Sequence, residues 1–417
     1  MADKADVLVI GGGVVGLCAA YFLRRAGRDV TVLTRDPVGT GASAGNAGMI
    51  VPSHVVPLAA PGVIAQGLRW LAHPESPFHI KPRADAALAR WLFTFRRHCT
   101  EAHVARAAPI LRDLSLASVA LFEEMQNDLG DFGFEQTGLL MLYHTEKGRK
   151  ENLRAAALAE DAGLAVERLD ADAVRALEPG LRTPVGGAVL YRQDGRVAPD
   201  RFLHRLAEAL RARGVALREG VAVTGFERRG DRLTGARTTA GFVEAESVVI
   251  AAGAWSGRLA KAAGVRLPVQ PAKGYSLTLP APHGGPRLPM ILTDEKTTVT
   301  PMRGRIRFAG TLALAGFDPS VDARRAAPIR RLARRYVPDA SEDDLDRAGV
   351  WSGFRPCSPD GLPLLGRSPR HANLFFATGH GMMGVTLAPV TGQLLAELLA
   401  GSVPSLPLAP LAPERFG

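Results

Sequence analysis

Three glycines near the start of the chain have the spacing of a turn that binds a dinucleotide. Gly11, Gly13 and Gly16 form the pattern G-x-G-x-x-G between two short apolar segments, residues 7–10 and 30–33. In such a turn the first glycine reverses the chain, the second lets a pyrophosphate approach the backbone, and the third lets helix and strand pack closely. The free N–H groups at the start of the following helix then bind phosphate. The segment therefore predicts a strand–turn–helix–strand unit that holds a dinucleotide cofactor.

Two other interpretations of this segment compete. Residues 7–23 are apolar enough for a signal sequence or a membrane span, but four glycines interrupt them and an acidic residue, Asp6, precedes them. The other interpretation is a glycine-rich turn without a ligand. The segment departs from the usual dinucleotide-binding motif at the end of the second strand. Such sites usually carry Asp or Glu there, which binds the ribose hydroxyls. Here that residue is Thr34, so its hydroxyl, or Asp36 after a small shift, would take this role.

Three later segments are also rich in glycine and other small residues. GTGASAGNAGMIVP (39–52) follows the second strand and lies against the cofactor or forms a plain surface loop. SVVIAAGAWS (247–256) is an apolar strand that ends in small residues. The third segment places Gly379, Gly381 and Gly384 between an apolar strand and a helix, an arrangement that directs a helix N-terminus at an electron-rich group. Arg355 precedes it in the proline-stiffened segment GFRPCSPDGLPLLG.

The composition is that of an ordinary folded protein with a net positive charge. The 417 residues carry 51 Lys and Arg against 41 Asp and Glu, giving a net charge of +10. Of the 51 basic residues, 44 are arginines spread evenly along the chain, and no run of five exists. This distribution argues against nucleic-acid binding and leaves attraction to anionic lipid headgroups open.

The spacing of the cysteines and the search for targeting segments indicate the cellular compartment to expect. Cys18, Cys99 and Cys357 lie far apart, without a C-x-x-C pair or histidines at ligand spacing. This pattern argues against a disulfide framework or a structural zinc site and for a reducing compartment. We see no signal peptide, lipidation motif or uninterrupted apolar span of membrane length. A cytoplasmic protein without a metal is therefore expected.

Several helices and strands can be placed from hydrophobic periodicity. Helices are predicted over 109–125, from residue 199 to about 214, and over 326–336, with a strand over 215–217 and strand-and-turn structure over 268–317. A further apolar stripe comprises Leu88, Trp91, Leu92 and Phe95, followed by two arginines. Such a stripe is either part of the core or an aromatic-basic element that lies on a membrane surface.

Together, four ordered motifs resemble a known group of flavoproteins. GGGVVGL, VVIAAGAWS, RPCSPDGLPLLG and ATGHGMMGVTLAPVTG are similar to motifs of the D-amino acid oxidase/dehydrogenase superfamily. Within it, SAGNAGMIVPS, the following PGV and PAKGYSLT are most similar to bacterial D-amino acid dehydrogenases and D-hydroxyproline dehydrogenases. The resemblance covers nearly the whole chain. It implies an α/β (α+β) fold with a Rossmann-like FAD-binding domain and a discontinuous β-sheet substrate domain.

The resemblance implies FAD as the cofactor and assigns residues to its site. Glycines of the N-terminal turn would hold the pyrophosphate, Val223 would contact the adenine, and the loop after the second strand would line the flavin side. Residues near the C-terminus would complete the site. The full set is Gly11, Gly13, Val14, Val15, Gly16, Thr34, Arg35, Ser43, Gly45, Asn46, Ala47, Gly48, Val223, Ala251, Gly253, Gly379, Gly381, Met382, Met383, Gly384, Val385 and Thr386.

The same resemblance implies a substrate pocket. Arg355 corresponds to the arginine that binds the substrate carboxylate, a role that suits a planar guanidinium; the alternative is one structural arginine among 44. Tyr275 is either a pocket hydroxyl or a buried sheet tyrosine, and His380 is either a base or a packing residue. Some relatives attach flavin through a cysteine, but the spacing from Cys357 to the following aspartate does not match theirs.

The resulting hypothesis is an FAD-dependent dehydrogenase that oxidises the C–N bond of D-amino or D-imino acids, including proline-like ones. The alternatives are a glycine- or sarcosine-type oxidase that uses dioxygen and a flavoprotein electron-transfer subunit. A quinone or another acceptor, peripheral contact with the inner face of the cell membrane and no nucleic-acid partner are expected. The FAD-binding domain is predicted to comprise residues 1–52, 195–267 and 348–417, and the substrate domain residues 53–194 and 268–347.

Overall fold

The computed structural model describes residues 3–71 and 75–416, which form two large sheets and their covering helices. The strands are β1 Asp3–Ile10, β2 Val30–Thr34, β3 Met49–Ile50, β4 Phe78–Ile80, β5 Leu139–Tyr143, β6 Val166–Asp170, β7 Gly187–Tyr191, β8 Gly195–Arg196, β9 Ala216–Glu219, β10 Val223–Arg229, β11 Arg232–Thr238, β12 Gly241–Ile250, β13 Gln270–Pro280, β14 Met290–Leu292, β15 Thr297–Met302, β16 Arg305–Leu314, β17 Trp351–Cys357, β18 Leu364–Arg367 and β19 Leu374–Thr378. The α-helices are α1 Val14–Arg25, α2 Val63–Leu71, α3 Ala86–His98, α4 Glu101–Leu129, α5 Glu146–Asp161, α6 Ala171–Leu177, α7 Pro199–Ala212, α8 Ser256–Ala262, α9 Ala323–Tyr336, α10 Glu342–Ala348 and α11 Ala388–Leu399.

The first sheet has a parallel centre. β1 pairs in parallel with β2 and β12, and the parallel order extends to β9 on one side and β19 on the other. Val9 lies opposite both Val32 and Val249, and all three are fully buried, as strands covered on both faces require. Helix α1 packs against α7 and α11. This is the predicted Rossmann-like α/β arrangement.

The second sheet is mostly antiparallel. Its strands follow the order β17-β13-β16-β15-β14-β5-β7-β6, with β4 added on β16. Its core is filled by Tyr275 and Phe308 of the sheet and by Tyr336 of α9, which covers β13 and β16. Strand β17 is hydrogen-bonded to β13, although its residues lie in the third segment that the sequence assigns to the FAD-binding domain. Through β17, the second sheet thus carries Arg355. The domain boundaries themselves stay a prediction.

Two predicted helices begin earlier in the structure, and the helix predicted over 326–336 is α9, which begins at Ala323. The helix predicted over 109–125 is part of α4, which begins eight residues earlier. The Thr100 hydroxyl accepts a hydrogen bond from the N–H of His103, which fixes the true N-terminus, and Val104 and Ala107 are buried in the core. Pro109 therefore lies inside the helix, because tertiary packing offsets the hydrogen bond that it cannot donate.

The aromatic stripe belongs to the core. Leu88, Trp91 and Phe95 of α3 are buried, and the Trp91 indole Nε1 donates a hydrogen bond to the carbonyl of Cys357 at 3.0 Å. Trp91 is therefore not available for membrane contact, which corrects that interpretation of the stripe. The large apolar side chains that are exposed on helices α2 and α3 are those of Ile64, Leu68, Leu71 and Phe93. No helix in the described part of the chain is long and apolar enough to cross a membrane.

Candidate active site

Two cavities lie where the two sheets meet. The first, here called the glycine-lined cavity, has a volume of about 370 Å³ and lies at the carboxyl ends of β1, β2 and β12. The second, here called the apolar cavity, has a volume of about 540 Å³ and lies between the second sheet and helices α2 and α3. Both volumes fall in the range of small-molecule sites. Three residues line both cavities: Ala42, Asn46 and Arg355.

The glycine turn has the geometry of a pyrophosphate site. Gly11 has φ +129°, and a Cβ there would lie 2.4 Å from the carbonyl oxygen of Ala251. A Cβ on Gly16 would lie 1.9 Å from the carbonyl oxygen of Gly11, so both positions require glycine for the fold. A Cβ on Gly13, by contrast, would meet the Ser43 hydroxyl at 3.4 Å and otherwise point into open space. The space beside Gly13 is the cavity itself, as binding of a dinucleotide requires.

The N-terminus of α1 faces the same space. Val14 donates its backbone N–H to the Ser43 hydroxyl at 3.1 Å, which joins the helix start to the loop 39–48. Arg307 holds that loop from the second sheet by donating Nη1–H to the carbonyls of Ala44 and Asn46, at 2.8 and 2.5 Å. The loop therefore lies along the cavity and is fixed from both sheets. These residues fit an extended dinucleotide such as FAD.

The far end of the glycine-lined cavity contains both candidates for the ribose contact. Thr34 donates its hydroxyl to the carbonyl of Asp36 at 2.8 Å, and the carboxylate of Asp36 pairs with Arg35 at 2.6 Å. The Arg35 guanidinium lies 4.6 Å from the centre of the Trp255 ring. All four residues line the cavity together with Val223. Which of them binds a ribose stays a prediction.

The predicted cofactor residues divide among three places. The glycine-lined cavity is lined by Gly11, Gly13, Val14, Val15, Thr34, Arg35, Ser43, Asn46, Val223, Ala251, Gly253, Gly381, Gly384 and Val385. The apolar cavity is lined by Gly45, Ala47, Met382 and Met383. Gly16, Gly48, Gly379 and Thr386 line neither of these cavities. Gly379 borders a third, small cavity of about 40 Å³, and Thr386 is buried with its hydroxyl donating to the carbonyl of Met49 at 3.3 Å.

Further residues of the glycine-lined cavity have no counterpart among the sequence predictions. Trp255 and Arg258 are the clearest, since they directly follow the AAG segment at the start of α8. Their position after a strand that ends in small residues is the signal that would have found them. Phe354 of β17 and Leu203 of α7 also line the cavity but carry no sequence signal, because they reach it only through packing between distant segments.

Arg355 lies at the junction of the two cavities with most of its guanidinium free. Its Nη1 donates a hydrogen bond to the carbonyl of Thr311 at 2.8 Å. Among the residues that the structure describes, its other N–H groups have no acceptor. Burial lowers the pKa of Arg355 from its ordinary value, but an arginine remains cationic at physiological pH. A charged fork with free donors at this junction is suited to bind a carboxylate.

Irregular backbone directs the Thr311 carbonyl at Arg355. The pairing of β13 with β16 shifts register between Lys273 and Tyr275, and opposite this shift Thr311 has φ +66°. Such a conformation is unfavourable for a β-branched residue, and bulges of this kind commonly re-aim groups at active sites. Gly274 also lies against the guanidinium, where a Cβ would lie 2.1 Å from Nη1. The local strain therefore orients Arg355.

The two other predicted catalytic residues are buried beside the cavities. Tyr275 lies in β13 and lines the apolar cavity, and its hydroxyl accepts a hydrogen bond from the N–H of Asp322 at 3.1 Å. His380 lines the glycine-lined cavity, and its Nε2 lies 2.9 Å from the Thr391 hydroxyl. Burial lowers the pKa of His380 to about 4, so its imidazole is neutral at pH 7 and a weak base. Its hydrogen bond and burial favour the packing role.

Cys357 is placed away from the glycine-lined cavity. Its buried thiol borders the small cavity, and burial raises its pKa to about 12. A thiol held in the protonated form is a poor nucleophile. This environment agrees with a flavin bound without a bond to this cysteine.

The buried carboxyl group of Asp194 contacts Ser53, which precedes a lining residue of the apolar cavity in the chain. Ser53 donates its N–H and its hydroxyl to the two oxygens of Asp194, at 2.9 and 2.5 Å. The next residue, His54, lines the apolar cavity. Burial raises the pKa of Asp194 to about 7, since no described cation compensates its charge. The carboxyl group therefore holds the loop that carries His54.

This shifted carboxyl predicts a specific pH dependence of stability. Because the pKa of Asp194 is raised above its unfolded value of 3.8, its contribution to stability is full below pH 4 and is lost as the pH rises through about 7. Asp194→Asn cannot ionise, so we expect it to gain stability relative to the wild type, by on the order of 2 kcal/mol, between pH 5 and pH 8. Melting temperatures of both proteins across this range measure the difference. A difference that is constant with pH would contradict the assignment.

Comparison with known proteins agrees with this geometry. Residues 6–398 match the family of FAD dependent oxidoreductases (DAO). The chain is 34% identical to a "D-amino acid dehydrogenase" of Granulibacter bethesdensis, over 98% of this chain and 99% of that protein. It is 36% identical to a protein of the same name from Cereibacter sphaeroides, over 98% and 95% of the two chains.

Solved structures share the fold. Glycine oxidase from Geobacillus kaustophilus superposes with a TM-score of 0.79 at 27% identity, covering 99% of this chain and 98% of that one. L-proline dehydrogenase from P. horikoshii superposes with a TM-score of 0.75 at 21% identity, covering 100% and 98%. With the cavity geometry, these findings establish that the chain belongs to the DAO family of FAD-dependent oxidoreductases.

Proposed function

We propose that this protein oxidises the C–N bond of D-amino acids, D-imino acids included, with FAD as the hydride acceptor. The proposal rests on the position of Arg355, whose charged guanidinium group lies at the junction of the two cavities. A substrate carboxylate bound there would set its α-carbon at the border of the cofactor space. The name that the relatives from Granulibacter and Cereibacter carry supports the D-configuration.

The residues of this chain bind and orient rather than react. Arg355 holds the carboxylate in two-point geometry, and orientation of this kind contributes a large part of the rate in such reactions. Tyr275 and the apolar side chains of the second cavity exclude water from the α-carbon. When bound along the glycine-lined cavity, FAD supplies the acceptor for the hydride. The product is an imino acid, which hydrolyses to a 2-oxo acid and ammonia, or a cyclic imine from a proline-like substrate.

Product analysis tests the reaction. With a dye as acceptor, each D-amino acid oxidised should give one 2-oxo acid, one ammonia and one reduced two-electron dye. The L-enantiomer should give none of them. Equal turnover of both enantiomers would contradict the proposed stereochemistry.

Displacing the guanidinium without removing its charge tests the role of Arg355 in binding. In Gly274→Ala the new Cβ would lie 2.1 Å from Nη1, and the flexible arginine end must move. We expect KM for a D-amino acid to rise about 10-fold or more, because a misplaced fork loses one of its two charge-assisted hydrogen bonds. Gly225→Ala is the matched control, since its Cβ would meet the end of Arg237 at 2.9 Å outside the apolar cavity. An unchanged KM in Gly274→Ala would contradict this role.

A dioxygen-using oxidase is the second candidate, and the superposition with glycine oxidase is the observation that favours it. An electron-transfer subunit without its own substrate has less support, because such a subunit would not need Arg355 at the junction.

We propose the dehydrogenase, working in the cytoplasm and resting on the inner face of the cell membrane. The exposed Ile64, Leu68, Leu71 and Phe93 lie on α2 and α3, among several arginines of the same helices. Contact of this kind is reversible and sensitive to salt.

The electron acceptor distinguishes these candidates. We expect the reduced enzyme to be reoxidised faster by a quinone in anionic lipid vesicles than by dioxygen, and added salt to slow the reaction with the vesicles. Phe93→Glu should weaken the vesicle reaction, because Phe93 is 62% exposed on α3 and does not line the apolar cavity. Stopped-flow absorbance and hydrogen peroxide release measure both routes. Rapid peroxide formation without an added acceptor would favour the oxidase.

A further inference from the structure

The lining of the apolar cavity is unusual for a site that takes a charged, polar amino acid. Its volume of about 540 Å³ is much more than a carboxylate and an amino group need. The described residues that line it include six aromatic side chains, those of Trp70, Phe78, Trp91, Phe95, Tyr275 and Trp351. Most of the remaining lining is aliphatic. Such a surface stabilises an apolar occupant.

One wall of the apolar cavity is formed by apolar side chains that pack against each other. Trp91 and Phe95 stack with ring centres 5.1 Å apart and planes at 13°, and both are buried. Leu312 lies opposite Phe78 where β4 joins β16, and Leu314 is buried two residues further on. These side chains come from three elements and form one continuous apolar wall. An extended apolar group that starts at Arg355 would lie along it.

The charges that face the cavity all have the same sign. Arg355, Arg96 and Lys296 line it, together with His54, whose pKa is lowered to about 4 by burial. No carboxylate is among its described lining residues. Glu151, which pairs with Lys296, does not line the cavity. A cationic side chain of a substrate would therefore enter an apolar space without a carboxylate partner and beside the guanidinium groups of Arg355 and Arg96, which is strongly unfavourable.

We infer that the substrates of this enzyme are D-amino acids with long or bulky apolar side chains, and that cationic side chains are rejected. The inference rests on the proposed function and names its substrate class. Each additional buried methylene group should raise kcat/KM about fourfold. The rise should continue along the series D-alanine, D-norvaline and D-norleucine, because the cavity has room for each.

Two isosteric substrates test the charge. D-norleucine and D-ornithine have side chains of the same number of heavy atoms, ending in a methyl or an ammonium group. With the holoenzyme and a dye as acceptor, we expect kcat/KM for D-norleucine to exceed that for D-ornithine by at least about 100-fold. Leu312→Glu should reduce this ratio at least tenfold relative to Leu312→Gln. The two variants have the same size and differ only in charge, and their flavin spectra and melting temperatures report that both fold.

The outcomes separate this inference from the proposed function. Turnover of D-alanine with no gain along the series, or equal turnover of D-ornithine and D-norleucine, would overturn the inference and leave the proposed function intact. An equal ratio in the two Leu312 variants would show that the side chain does not lie along this wall, and would also overturn it. Reduction of the enzyme by no D-amino acid would overturn both.

Discussion

Arg355→Ala is expected to lower kcat/KM for a D-amino acid by about 30-fold to several thousandfold, or roughly 2–5 kcal/mol. The substrate carboxylate would then lie in an apolar surrounding without its charged partner, and its α-carbon would no longer be fixed. Arg355→Lys should recover only part of the loss, since an ammonium keeps the charge but not the two-point geometry. Steady-state kinetics with a dye acceptor measure both variants.

Two controls separate a binding role from a structural one. The FAD content of both variants should remain near that of the wild type, because Arg355 borders the cofactor space without being part of the glycine turn. An amine that lacks the carboxylate should be a poor substrate for the wild type and no poorer for Arg355→Ala. Wild-type rates in Arg355→Ala would place the carboxylate elsewhere.

Three other candidates for binding the carboxylate, Arg303, Arg305 and Arg307, are already engaged by groups of the protein. Arg303 pairs with Asp131, and Arg305 pairs with Asp200 at 2.8 Å. Arg307 donates to the loop 39–48, and none of the three lines the apolar cavity. Arg96 and Lys296, which do line it, would be the next candidates.

Gly13→Val is expected to abolish FAD binding while the protein remains folded. A Cβ at this position points into the glycine-lined cavity, with the Ser43 hydroxyl at 3.4 Å as its only close neighbour. The two methyl groups of valine would therefore occupy the space of the pyrophosphate and would not clash with protein atoms. Flavin absorbance of the purified variant measures the loss, and circular dichroism and melting temperature measure the fold.

Gly16→Val is the matched comparison for this variant. Its Cβ would lie 1.9 Å from the carbonyl oxygen of Gly11, so this substitution should impair folding itself. A Gly13→Val protein that kept FAD at normal affinity would show that the turn does not hold the cofactor. A Gly13→Val protein that failed to fold would contradict the open space seen beside this glycine.

The parts of the site that follow from sequence are those encoded locally. The glycine turn is recognisable because its three glycines have a fixed spacing: the fold requires Gly11 and Gly16, and Gly13 leaves room for the cofactor. The parallel sheet follows from apolar runs such as β1. The sequence predicts α7 to within two residues, because proline at its start and Gly214 after its end mark both termini. It does not predict the start of α4, because Pro109 is typical of a helix start, whereas tertiary packing extends this helix back to Glu101.

The parts that could not be predicted depend on contacts between distant segments. The register shift that gives Thr311 its strained backbone, and so orients Arg355, arises from the pairing of β13 with β16. The hydrogen bond from Trp91 to the carbonyl of Cys357, which supports the core interpretation of the aromatic stripe, also joins residues far apart in the chain. Neither feature leaves a pattern in the local sequence. The same holds for Phe354, which reaches the cavity through the meeting of the sheets.

The central claim, that a D-amino acid reduces FAD bound in this protein, is tested most directly by anaerobic mixing of the purified enzyme with D- and L-amino acids. The visible flavin absorbance should bleach within the dead time or first seconds with the D-enantiomer, and should persist with the L-enantiomer. Arg355→Ala should bleach slowly under the same conditions with its full flavin content. A flavin that no D-amino acid bleaches, or a purified protein that holds a nicotinamide dinucleotide in place of FAD, would contradict the account.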